Sequence, residues 1–82
     1  MADKHSSPFL RELAGRLKAV REERRLTLQE VYNATGIHVS RIESKGLNVT
    51  LLTLAILCRY YRVQLAQVVD GIEQLVEEPN RQ

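Results

Sequence analysis

What the 82-residue chain lacks narrows its chemistry before anything it contains. It has one cysteine, Cys58, so no disulfide forms within the chain and a reducing compartment fits. Its only histidines, His5 and His38, are far apart and no cysteine cluster accompanies either, so no metal-ligand spacing exists. The longest apolar run, Leu51–Cys58, contains Thr53 and is far too short to span a bilayer. MADKHSSP carries no apolar h-region, so no signal peptide is expected. No glycine-rich phosphate loop and no nucleophile–base set occurs, so the expectation is not an enzyme and no cofactor. Strand-like alternation and internal repeats are also missing.

What is present suits one small helical domain with a 44% hydrophobic and 27% charged composition. A domain of this size lies near the lower margin of stability, which makes oligomerisation an expectation. The formal net charge of +2 is unevenly placed. Residues 1–25 carry seven Lys/Arg against four Asp/Glu, residues 26–50 carry two of each, and residues 51–69 carry Arg59 and Arg62 with no acid. Residues 70–82 carry four acids against Arg81. A basic body with an acidic tail suits a polyanionic partner, although many solvated helical surfaces look alike.

Along the chain, residues 1–6 are polar and expected to be disordered. Ser7–Pro8 starts a helix, with Leu10, Leu13, Leu17 and Val20 at helical spacing, which ends around Arg24–Arg25. Gly15 inside it is best explained by another helix crossing closely. Thr27 and Glu30 form a capping box for a second helix, roughly Leu28–Ala34, with Leu28, Val31 and Ala34 inward. Gly36 supplies a left-handed turn residue. A third helix then holds Val39 and Ile42 inward, leaves His38, Ser40, Arg41 and Ser44 outward, and closes at Gly46. Thr50 caps a fourth helix, Leu51 to Tyr60 or Tyr61, apolar on most sides. A fifth helix begins at Leu65 with Val68, Val69, Ile72 and Val76 at helical spacing, and Gly71 either bends or ends it. Glu77–Glu78–Pro79 stops any helix.

Several of these stretches together resemble the lambda repressor/Cro-like helix–turn–helix domains, also called the xenobiotic-response-element family. The carriers are Leu17–Arg24 (LKAVREER), Leu26–Thr27, Ser40–Arg41–Ile42–Glu43, Thr53–Leu54, Leu57–Cys58 and Val63–Gln64–Leu65, and the match covers roughly residues 9–69. The resemblance implies an all-α, compact five-helix bundle with the helix–turn–helix at helices two and three. It divides the chain into a loose segment 1–6, the domain 7–69, and a C-terminal helical extension with an acidic tail, 70–82. Three features depart from the family pattern. Gly36 stands seven residues before Glu43 where the family uses ten, a deficit of about one helical turn. Either the third helix is shortened or the turn lies at Asn33; the spacing of Leu26–Thr27 and Val31 from Arg21 favours the former. Leu28 replaces a common backbone-contacting glutamine, and Tyr32 stands where a small residue is usual.

The resemblance implies a sequence-specific, DNA-binding transcriptional regulator acting in the cytoplasm on the nucleoid, as a homodimer on a palindromic operator. The DNA-binding candidates are Thr27, Gln29, His38, Ser40, Arg41, Ser44, Lys45 and Asn48. Arg41 can pair with guanine or with phosphate, and Lys45 and Asn48 flank the helix end where the family loop meets phosphate. Arg21 and Glu43 match a structural ion pair that ties helix one to helix three. Val69, Ile72, Leu75 and Val76 are the dimer-interface candidates, because they extend an apolar stripe beyond the expected core. The alternative is a protein-interaction module, antitoxin-like or adaptor, whose helix–turn–helix reads DNA weakly or not at all. Double-stranded DNA, a second copy and a protein partner are thus the expected partners, and a membrane is not.

Overall fold

The structure, a computed structural model, describes residues 7–76. Five α-helices follow one another: α1 (Pro8–Glu23), α2 (Leu28–Thr35), α3 (Val39–Lys45), α4 (Leu51–Tyr61) and α5 (Leu65–Val68). A short 3-10 turn, Ile72–Leu75, comes last, and the described residues include no strand. Expectations for residues 1–6 and for Glu77–Glu78–Pro79 lie outside the described residues.

Local sequence accounts for most helix ends. The Ser7 hydroxyl accepts the Leu10 N–H at 3.1 Å and Pro8 takes the first helical position. Thr27 and Glu30 make the full capping box: the Thr27 hydroxyl accepts the Glu30 N–H at 3.0 Å, and Glu30 Oε1 accepts the Thr27 N–H at 2.8 Å. Thr50 caps α4 by accepting the Thr53 N–H at 3.0 Å. Gly36 and Gly46 end α2 and α3 at φ of 75° and 59°. Two other ends use arginine where glycine is usual. Arg25 (φ 58°) and Arg62 (φ 61°) adopt the left-handed conformation after α1 and α4. Each closes a paired carbonyl cap, in which Leu26 and Val63 donate back to Arg21 and Cys58 at 3.1 and 3.0 Å.

One core joins all the helices. Leu13 and Leu17 of α1 meet Val31, Val39, Ile42, Leu54, Leu57, Cys58, Tyr61, Val68 and Ile72. On α4 the buried residues Leu54, Leu57, Cys58 and Tyr61 occupy one side only, while Leu51 and Leu52 are each 70% exposed and Ile56 is half-exposed. α4 is central, yet three of its apolar side chains are left exposed.

Four packing expectations require correction. Gly15 marks no helix crossing, since it is exposed and a Cβ there would meet nothing within 4 Å. Leu28 and Ala34 are exposed, so Val31 alone of the three faces the core. The fifth helix lasts only Leu65–Val68, because Gly71 at φ 70° turns the chain rather than bending a continuous helix. That turn sends Ile72 inward, where it is 3% exposed, and the 3-10 segment packs against α1. Ile72 is therefore a core residue of its own chain and unavailable to a partner. Val69 also packs in part against the core, which leaves Leu75 and Val76 exposed at 40% and 53%.

Candidate functional site

The site is built on α2, the turn 36–38 and α3. Gly36 N–H reaches Tyr32 O at 2.7 Å, and the Thr35 hydroxyl both donates to Val31 O at 2.7 Å and accepts the Ile37 N–H at 3.1 Å. These bonds turn Ile37 toward the core, where it is half-buried. Asn33 lies inside α2, so the turn is at Gly36, and α3 has seven residues.

Behind α3, Arg21 and Glu43 form a two-pronged pair. Arg21 Nε donates to Glu43 Oε2 at 2.7 Å and its terminal nitrogen NH2 donates to Oε1 at 2.9 Å. The other terminal nitrogen, NH1, donates to Leu26 O at 2.7 Å, so the guanidinium also holds the chain between α1 and α2. Both side chains are largely buried. The hydrogen bond to Glu43 raises the Arg21 pKa still further above its ordinary range. Tyr61 is buried near the pair, and its hydroxyl has no hydrogen-bond partner among the described residues. Burial first, and the Glu43 carboxylate second, push its pKa up to about 12. Cys58 is buried beside these residues in the core, and burial raises its thiol pKa as well.

The outer side of α3 is the reverse of this. Ser40, Arg41, Ser44 and Lys45 are all exposed, and none has a side-chain hydrogen bond or ion pair among the described residues. Helical spacing places Ser44 one turn beyond Ser40 and Lys45 one turn beyond Arg41. Like charges four residues apart disfavour a helix by about 0.2–0.5 kcal/mol. Glu43, the sole acid of α3, is turned inward to Arg21 and does not relieve them.

The remaining candidates are distributed unevenly. His38 is exposed and stacks on Tyr32, with ring centroids 4.3 Å apart and planes 27° apart. Gln29 Nε2 donates to Asn33 Oδ1 at 2.9 Å. Gln29, His38 and Ser40 share a cleft of about 200 Å³ with Leu28, Tyr32 and Val39. Thr27 is committed to the capping box, and the Glu30 carboxylate takes the place an anion would occupy at that helix end. Asn48 lines a different, larger groove with Pro8, Leu10, Leu75 and Val76. Arg59 and Arg62 are exposed in a third groove beside Thr35 and Tyr60.

Leu28 and Tyr32 are the site residues that helical periodicity concealed. Spacing from Val31 suggested that Leu28 points inward. It is instead 39% exposed. Tyr32 does not wedge between the helices; it is 40% exposed and lies over the turn. Among the described residues no three His, Cys, Asp or Glu side chains gather as a metal site would need, and no helix is long and apolar enough to cross a membrane. No family model, curated protein or solved structure matches the chain.

Proposed function

We propose that the chain is a transcriptional regulator of the lambda repressor/Cro-like kind, binding double-stranded DNA through α3 as a homodimer on a palindromic operator. The observation that carries this reading is the unneutralised outer edge of α3. Arg41 and Lys45 stand four residues apart without a carboxylate partner among the described residues, while the helix's own acid is held by Arg21. A polyanion removes the repulsion that the fold leaves in place. Phosphate contact by Lys45 and base or phosphate contact by Arg41 follow from their exposure and donor sets. Leu75 and Val76 are the residues left to contribute a contact between copies, and a two-fold pair would set two α3 helices about 34 Å apart.

Selection of bound fragments from a random duplex library, with mass measured in parallel, tests the reading. A dimer neutralising about four phosphates should lose about a hundredfold in affinity between 50 and 200 mM salt. Arg41→Ala should weaken sequence preference with the fold intact; an unchanged footprint argues against a base contact. Failure to bind any duplex at low salt refutes the proposal.

A second reading, a protein-interaction module, has one specific observation in its favour. Leu51 and Leu52 expose 70% of their surface side by side at the start of α4. Retention of a protein partner with salt-independent affinity, and no duplex bound, would select this reading.

A further inference from the structure

The free cations of α3 do not account for the cleft beside them. Its apolar surface comes from Leu28 and Tyr32, which are 39% and 40% exposed, together with Val39; its polar groups are Gln29, His38 and Ser40. At about 200 Å³ it is smaller than the ~300 Å³ at which small-molecule pockets usually begin. The Tyr32–His38 stack braces one side. Gln29 is braced as well, since its amide nitrogen is bonded to Asn33, which leaves its Oε1 as an acceptor. The cleft is continuous with the α3 edge, because Ser40 belongs to both.

We infer that this cleft takes the 5-methyl group of a thymine in the major groove, so that each half-site carries a preferred T·A pair beneath α2 and the start of α3. The inference rests on the DNA-binding reading. Thymine alone among the four bases offers an apolar group in the major groove; the others offer amino, carbonyl or ring-nitrogen atoms there. Leu28 and Tyr32 ring carbons would strip water from such polar atoms without replacing their hydrogen bonds. Against a methyl group they bury apolar surface on both sides.

The test uses the full chain and the duplex recovered by selection, resynthesised with deoxyuridine for thymidine one position at a time. At one position in each half-site the missing methyl should weaken binding roughly fourfold, the effect of one buried methylene-sized group. Leu28→Ala and Tyr32→Ala should keep binding the duplex while the thymidine-to-deoxyuridine ratio falls toward one. A merely structural role would lower affinity for both duplexes equally and leave the ratio alone. Deoxyuridine tolerated at every position, or a ratio that survives both substitutions, overturns the inference while leaving DNA binding standing. No binding of either duplex overturns the DNA-binding reading and the cleft assignment together.

Discussion

The arginines of α1 and the cations of α3 have the same formal charge and opposite employment. Arg16 donates to Val68 O at 2.9 Å and Asp70 O at 2.7 Å, holding the end of α5. Arg21 holds Glu43 of α3 and Leu26 O. Arg24 donates to Tyr61 O at 2.8 Å and Arg62 O at 3.3 Å, holding the end of α4. Two arginines of α1 and the arginine at its C-cap thus reach three other helices, mostly at carbonyls that a helix end leaves unpaired. Among the described residues, Arg41 and Lys45 hold nothing. The lesson is that regional charge counts mislead. The excess in residues 1–25 drew attention to a polyanion, yet three of its arginines are occupied with the fold. Uncompensated charge also stands in the electrically balanced stretch 26–50, because its two acids, Glu30 and Glu43, are engaged elsewhere.

The largest effect that would break or sharpen this contrast is at the buried pair. Arg21→Met should leave Glu43 uncompensated and lower stability by about 3–5 kcal/mol in urea denaturation. A loss below ~1 kcal/mol would put Arg21 in the same class as the α3 cations. Next comes Tyr61 beside that pair. Its folded pKa of about 12 is raised above the ordinary 10, so its contribution is complete below pH 10 and disappears as pH rises from 10 to 12. That amounts to roughly 2–3 kcal/mol across the window. Tyr61→Phe should flatten this alkaline limb without weakening the neutral protein, since the hydroxyl has no partner to lose. A steep limb persisting in the phenylalanine variant would assign it elsewhere.

Arg16→Met should cost about 1 kcal/mol, because its carbonyl bonds are real but its side chain is 30% exposed and water can replace them in part. Increased amide exchange after Val68 would locate the loss at α5. Smallest of all, Arg41→Ala should move thermal stability by less than ~0.5 kcal/mol in either direction. A substantial destabilisation there would mean that α3 carries a structural contact and would remove the contrast.

The parts legible in the sequence were those set by residues close in the chain. The Thr27–Glu30 box, the Ser7 and Thr50 caps and the left-handed Gly36 and Gly46 follow from side chains within four positions of the backbone groups they serve. The outward set on α3 was equally legible, because Val39 and Ile42 orient a seven-residue helix with little freedom left. Long-range geometry was not. Periodicity from Leu65 to Val76 leaves open whether Gly71 bends or ends the helix, and Ile72 reaches the core by a turn at Gly71 rather than by helical repetition. The arginine caps at Arg25 and Arg62 carry no local signal, since nothing in those residues favours positive φ. The bonds from Arg16 and Arg24 span 37 to 54 positions and depend on where α4 and α5 settle.

The brevity of α3 has a consequence for information. Seven helical residues extend about 10 Å, which covers about three base pairs at the 3.4 Å spacing of duplex DNA. Three positions hold about six bits at most, whereas a genome offers on the order of 10⁶ or more competing sites, about twenty bits. In the DNA-binding reading, one copy cannot find an address with α3 alone. Two copies double the message, and the balance has to be written in the bendability of the intervening duplex or in neighbouring bound copies.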